Sequence, residues 1–333
     1  MAPATDVARR ARALHEARFG RRAAACGHAS GRVNLIGDHV DYAGGRVLPM
    51  ALSRETHVAM ARFDAEDRFA SEFEADSEWT RYARGVLMEL RAAGVAVPSV
   101  SVAVASDVPV GAGLSSSAAL EVAVARAALA IAGAELPPRQ IALLCQRAEH
   151  IHAGMPCGVM DQWCVAHARP GEAILLDCAS LAYRAVALPE ALAIDIIDSG
   201  VRHALRDGGY AARRADTEQA AAALAVPQLA ALPHARWFEI DALPERIARR
   251  ARHVVHECVR VDAAVAALDQ GDLDRFGALL LESHASLRDD FDVSTPELDA
   301  IVRHAVANGA LGARMTGGGF GGSAIVARRV TKP

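Results

Sequence analysis

The sequence predicts a two-domain α+β protein, and three observations carry that expectation. A length of 333 residues suits about two domains with room for a sizeable core. The order of elements runs from strands, through a mixed segment, to a long helical stretch. Two glycine-rich segments, at 111–117 and 316–322, stand at junctions between elements of different type. The expected division is an N-terminal domain over 1–190 and a C-terminal domain over 191–333.

Each element has its own signal. Thr5–Phe19 reads as a short helix with Thr5 as its N-cap. Val33–Ile36, Val47–Leu52 and His57–Arg62 read as strands separated by Gly and Asp turns. A helix is expected from Trp79 to Ala93, and the alternation of Val100–Ala105 predicts a strand. The glycine–serine segment then opens into an alanine-rich helix ending near Ile131, followed by a helix over Pro138–Ala153. Leu192–Asp198 predicts a buried strand, and the chain beyond it reads as mainly helical to Gly309. A last strand is expected at Ser323–Arg328.

Composition narrows the function. Hydrophobic residues at 52% and charged residues at 23% are ordinary for a soluble globular chain. The net charge is −4 and no basic run is long enough for a nucleic-acid patch, so a small-molecule partner is expected. Lys332 is the only lysine, which excludes a GxxxxGK[ST] nucleotide loop. Six cysteines without CxxC spacing point to free, mostly buried thiols in a reducing compartment. No apolar leader and no run of membrane-spanning length is present, so the expectation is a cytoplasmic protein without membrane association.

Three segments carry chemistry. In Pro109-Val-Gly-Ala-Gly-Leu-Ser-Ser-Ser-Ala-Ala, Gly111 and Gly113 permit close backbone approach to a ligand. The helix that follows offers unpaired N–H groups, and Ser115, Ser116 and Ser117 add hydroxyls able to bind phosphate or a hard cation. A plain capped turn needs one serine, not three beside two glycines. Ala29–Gly45 packs Arg32, Asn34, Asp38, His39, Asp41 and Tyr42 together, which suits sugar hydroxyls that both donate and accept. A polar turn leading into Val47–Leu52 accounts for the same residues. Arg314-Met-Thr-Gly-Gly-Gly-Phe-Gly-Gly-Ser precedes apolar Ala324–Ala327, and its position and its Phe favour a backbone-lined wall over a flexible linker.

Together these segments resemble the three motifs of the GHMP kinases. GRVNLIGDHVDYAGG, VPVGAGLSSSAALE and RMTGGGFGGS are closest to the galactokinase branch, as are AEHIHAGMPCGVMDQ at 148–162 and ESHASLRDDFDVSTPELD at 282–299. The resemblance covers nearly the whole chain. It implies a two-domain GHMP kinase fold with the active site in the cleft between domains. It implies ATP and Mg²⁺ as cofactors, a small sugar as partner, and conversion of galactose to galactose 1-phosphate.

By the same resemblance Asp161 is the catalytic base and Arg32 its partner. Asp38, His39, Asp41, Gly158 and Tyr210 contact the sugar. Gly111, Gly113, Leu114 and Ser115–Ser117 form the phosphate loop, Ser117 and Glu149 hold Mg²⁺, and Trp79 of WxxYxxGV lies against the adenine. The residues suit that chemistry. Phosphoryl transfer needs positioning and charge neutralisation, with a carboxylate to take the hydroxyl proton and an arginine to offset phosphate charge. A helix-capping role for Asp161 and a surface position for Glu149 are the plainer accounts.

Four departures from the family pattern stand out. Asp38 replaces a glutamate, a shortening expected to weaken a sugar contact or to favour another sugar. Ser30 replaces a proline, the stretch from Leu52 to Trp79 is short, and the chain stops soon after the third motif. The last departure predicts either self-association through the C-terminal domain or reduced stability there. Two other functions remain open: a kinase for L-arabinose or N-acetylgalactosamine, and a non-catalytic sugar sensor. The intact Gly113–Ala119 speaks against the sensor.

Overall fold

A computed structural model describes residues 5–73, 77–201 and 208–330; Lys332 lies outside that set. In chain order the elements begin with α1 (Asp6–Phe19), β1 (Ala25–Asn34), β2 (Arg46–Val47), β3 (Pro49–Arg62), β4 (Arg68–Ser71), α2 (Thr80–Ala92) and β5 (Val100–Ser106). Next come α3 (Ser116–Ala132), α4 (Pro138–Ala148), α5 (Met160–His167), β6 (Ala173–Asp177), β7 (Tyr183–Val186) and β8 (Leu192–Asp198). The last are α6 (Gly209–Ala223), α7 (Glu245–Gln270), α8 (Leu273–Asp289), α9 (Pro296–Ala307), β9 (Gly312–Thr316) and β10 (Ser323–Arg329).

The chain forms two compact units, and they are interleaved rather than divided by one cut near residue 190. The first contains 1–32, 51–110 and 115–171; the second contains 33–50, 111–114 and 172–333. The sequence order hides this, because short returns of chain contribute to a unit whose bulk lies elsewhere.

In the first unit β3 runs antiparallel to β5, from Thr56↔Ser106 to Arg62↔Val100, and β4 lies parallel to β5. β1 also pairs with β3. Val58, Met60, Val102 and Leu87 are fully buried in its core. The Thr5 hydroxyl accepts from the Ala8 N–H, and Gly20 closes α1 in the left-handed conformation. α3 is buried from Ala118 to Ala125, which its small side chains permit. A Cβ on Gly27 would lie 2.1 Å from the Ala123 carbonyl oxygen, so β1 reaches the helix backbone only as glycine.

In the second unit β6 pairs antiparallel with β2 and β7, and Met50 at the start of β3 pairs with Ala173. A separate antiparallel sheet has the order β8-β10-β9. α8 rests on β9 through backbone contact: a Cβ on Gly312 would lie 2.1 Å from the Gly277 carbonyl oxygen. Phe276, Leu279, Leu280, Leu287, Met315 and Ile325 fill the core beneath.

Several expectations need correction. Of Val33–Ile36 only Val33 and Asn34 are strand, the tail of β1, whose earlier residues are too polar to read as a strand without its partner β3; Leu35 and Ile36 lie beyond it. Val47–Leu52 and His57–Arg62 belong to β2 and the single long β3. The helix expected over Pro138–Ala153 keeps α-helical form to Ala148 and then makes a π-helical turn over Glu149–Ala153. β8 has the expected bounds but is half-buried, with Ile197 40% exposed, because β10 is its one partner strand among the described residues. Of the thiols, Cys145 and Cys164 are buried, Cys26 is exposed and the others are half-buried; all six are free.

Candidate active site

The first unit assembles Arg32, Ser115, Ser117, Glu149 and Asp161. Asp161 stands in the first turn of α5, but Val159 occupies the cap position and no side chain caps the helix there. The Asp161 carboxylate is therefore not a cap. Arg32 donates to it in a fork, Nε to Oδ1 at 2.8 Å and Nη2 to Oδ2 at 2.8 Å. Arg32 is 4% exposed, at the buried end of β1. Ser115 adds a third donor, Oγ to Oδ2 at 2.5 Å. It can do so because it adopts the left-handed conformation, φ 56°, just before α3. Ser116 and Ser117 form the first turn of that helix.

Glu149 is 6% exposed and not a surface residue. The switch from α to π geometry begins at Glu149 itself, and such turns re-aim side chains at functional sites. Its carboxylate accepts from Ser117, from Cys157 Sγ at 3.3 Å and from Gln162 Nε2 at 2.5 Å. Burial, and then the charge of Asp161, push its pKa up to about 7. Glu121, wholly buried nearby, is driven well above the carboxylate range by burial and by Glu149. Two acid groups, Glu149 and Glu121, are thus crowded into one buried place beside the Asp161 charge. A carboxylate and a hydroxyl are the ligands a hard divalent cation takes, and such an ion would relieve the repulsion.

Trp79 ends a 3₁₀ turn, half-buried, with its ring edge-to-face on Phe69 at 6.1 Å. Gly158 is buried two residues before α5. Tyr82, which the sequence reading left without a role, faces the same negative charge: burial and then Glu149 raise its phenol to about 12. Gln162 and Glu121 were likewise passed over, although both lie inside quoted motifs.

The second unit gathers the other candidates. Asp38 is 1% exposed; its Oδ1 accepts from the Gly317 N–H at 3.0 Å and its Oδ2 meets Arg314 Nη2 at 2.6 Å. His39 has φ 64° and both ring nitrogens engaged, with Gly318 O at 3.2 Å and Tyr42 Oη at 2.9 Å. Burial, followed by His253, lowers its pKa to about 3, so the ring is neutral. Nε2–H then donates to the Gly318 carbonyl, and Nδ1 accepts from the Tyr42 hydroxyl. Tyr210, second in α6, lies 5.4 Å from the His39 ring and edge-to-face with Tyr42 at 5.6 Å. Asp41 is 8% exposed, and its charge adds to burial in raising the Tyr42 pKa.

Gly111, Gly113 and Leu114 also belong to this unit. Gly111 and Gly113 have φ 70° and 76°, and a Cβ on Gly113 would lie 3.0 Å from the Thr316 carbonyl oxygen. Ser323 Oγ donates to the Ala112 carbonyl at 2.8 Å. The first half of the glycine–serine loop is thus folded against the third glycine motif, a contact that neither motif reveals alone.

The model of the GHMP kinases N terminal domain matches residues 81–169, and that of the GHMP kinases C terminal matches 264–327. With the two-unit α+β fold, these matches make the chain a GHMP kinase. The galactokinase galactose-binding signature matches 13–62. The chain is 44% identical over 323 residues to a galactokinase of Streptomyces coelicolor, covering 90% of this chain and 83% of that protein. It is 42% identical over 335 residues to a Chloroflexus aggregans galactokinase, covering 94% and 86%. The crystal structure of Lactococcus lactis galactokinase complexed with galactose superposes with a TM-score of 0.87 at 31% identity, covering 96% of this chain and 89% of that one. The crystal structure of L. major mevalonate kinase in complex with R-mevalonate shares the fold at a TM-score of 0.67 and 20% identity, covering 92% of this chain and 87% of that one. The chain belongs to the galactokinase family.

Proposed function

We propose that the chain transfers the γ-phosphate of ATP, with Mg²⁺, to the anomeric hydroxyl of galactose, giving galactose 1-phosphate. The observation that carries the reading is the Asp161 carboxylate held by the Arg32 fork and the Ser115 hydroxyl. Asp161 takes the proton of the sugar hydroxyl as its oxygen bonds to phosphorus, and Arg32 offsets charge on the transferring group. Ser117 and Glu149 would hold Mg²⁺, which would supply neutralisation of phosphate charge. Gly111, Gly113, Leu114, Ser115 and Ser116 line the triphosphate, and Trp79 lies against the adenine. Asp38, His39, Asp41, Gly158 and Tyr210 shape the sugar site.

The protein works in the cytoplasm on this reading, which the six free thiols support. No described helix is long and apolar enough to cross a membrane. Self-association is part of the same proposal, supported by the half-exposed β8 edge.

A panel of galactose, L-arabinose and N-acetylgalactosamine with ATP and Mg²⁺, read by ³¹P NMR, tests the function. Galactose should give the fastest turnover and a phosphate on the anomeric carbon. A faster rate with either other sugar overturns the choice of substrate. Sugar and ATP binding without turnover indicates a sensor instead.

A further inference from the structure

Behind Glu149 lies a buried pair of side chains that the reaction itself does not use. Gln162 is 0% exposed on α5, and Glu121 is 0% exposed on α3. Gln162 Nε2 donates to Glu121 Oε2 at 3.1 Å and to Glu149 Oε2 at 2.5 Å. Both amide hydrogens are thereby used. The amide has one workable orientation, since reversing it would set its carbonyl oxygen against two carboxyl oxygens.

The remaining atoms complete the pattern. Glu121 Oε1 and Gln162 Oε1 are both buried without a hydrogen-bond partner. Buried polar atoms of this kind are costly to leave unmade. A proton on Glu121 Oε1 turns one of the two into a donor, and Gln162 Oε1 is an acceptor in want of one. The arrangement this allows is a cyclic acid–amide pair, in which the N–H to Oε2 bond of the structure is matched by an O–H to Oε1 bond in the other direction.

We infer that Glu121 and Gln162 are positioning residues, an acid–amide clamp that fixes the Glu149 carboxylate in its metal-binding orientation. The inference rests on the reading of Ser117 and Glu149 as the cation site. Outer partners of this type hold a ligand's rotamer and typically change metal affinity 10–100-fold when removed. The clamp also explains why an uncharged amide stands at 162, where a third carboxylate or a lysine would change the charge seen by the ion.

Mn²⁺ binding to the full chain with AMPPNP, followed by electron paramagnetic resonance, tests the clamp apart from turnover. Gln162→Met keeps volume but removes both N–H donors, and should weaken Mn²⁺ binding about 10–100-fold. Glu121→Leu should weaken it similarly. Glu121→Gln can donate N–H to Gln162 Oε1 and accept at its own carbonyl, so it should bind Mn²⁺ within about twofold of the parent chain. In assays, the first two variants should raise the Mg²⁺ requirement while kcat at saturating Mg²⁺ stays near the parent value, a split that general loosening of the core would not give.

If Gln162→Met folds and binds Mn²⁺ like the parent, the clamp is wrong. Should that variant fail to fold, the two Glu121 variants decide: equal losses in Glu121→Gln and Glu121→Leu overturn the acid–amide pair. A parent chain that turns over sugar but gives no protein-bound Mn²⁺ signal would instead remove the cation site, and the clamp with it.

Discussion

Asp38 and Arg314 form an ion pair at 2.6 Å in which neither side chain is more than 2% exposed. Arg314 has a second carboxylate, Glu257, only at 4.0 Å, and Glu257 already accepts from Ser283 and the Gly37 N–H. The Gly317 N–H occupies the other Asp38 oxygen, so Asp38 ties the Ala29–Gly45 segment to the glycine cluster at 316–322 within the second unit.

Asp38→Asn should therefore cost about 3 kcal/mol, because it leaves a buried guanidinium short of its nearest charge. Asp38→Glu adds a methylene to a closed space and should cost about 1–3 kcal/mol. It gains outward reach only by giving up Arg314, so the KM for galactose should not fall. Urea denaturation and a galactose titration check both statements. A Glu variant of parent stability with a lower KM would mean that the sugar contact, rather than the ion pair, determines the residue here.

Asp161→Asn should lower kcat about 10²–10⁴-fold while galactose still binds, since the loss falls on proton transfer. Arg32 and Ser115 can still donate to an amide oxygen, so the fold around it should survive. Isothermal titration with galactose, alongside the assay, separates binding from turnover. Near-parent kcat would take Asp161 out of the reaction.

Glu149→Gln should raise the Mg²⁺ requirement steeply without lowering thermal stability. The position is buried, and its charge is crowded by Asp161 rather than paired with a cation. Removing that charge relieves the folded state, and the new amide oxygen can still accept from Gln162. A marked drop in unfolding temperature would assign Glu149 to the fold instead.

Acid should destabilise the second unit before most carboxylates titrate. His39 and His253 are lowered from 6.5 to about 3 and about 4, in both cases chiefly by burial. The unfolded chain takes up protons at its ordinary value while the folded chain does not. Their contribution is complete above about pH 6.5 and is lost as pH falls toward about 4, at up to about 1.4 kcal/mol per pH unit per group. Urea titrations at about pH 7 and about pH 5 should show the loss, and His253→Gln should reduce its slope. An unchanged slope would show that the imidazole is not titrating between the two states.

β8 should mediate self-association. β10 is its one partner strand among the described residues, and Ile197 is 40% exposed on it. An open strand of this kind is a template for another copy. Light scattering over a concentration series should show mass rising with concentration, and Ile197→Lys should suppress it. A strict monomer throughout would sink the idea.

Much of this protein was legible along the chain because the signals were local. Thr5 capping α1, the bounds of β8 and the start of β5 at Val100 follow from spacing and turn chemistry that a few neighbours define. The three motifs named the family for the same reason: each is a continuous run.

What the sequence alone left open were relationships between distant residues. β1 was half missed because Ala25–Arg32 is a strand only by pairing with β3. The π turn at Glu149 was hidden because 3.6-residue periodicity is nearly the same on both sides of it. Sequence placed Arg32, Ser115, Glu149 and Asp161 in motifs of one family. Only the tertiary structure decided that Arg32 forks onto Asp161 from 129 positions away, that Asp38 is claimed by Arg314, and that Gln162 stands between two carboxyls. The physical reason is that hydrogen bonds and ion pairs act over about 3 Å of space, and no one-dimensional pattern records which side chains folding brings that close.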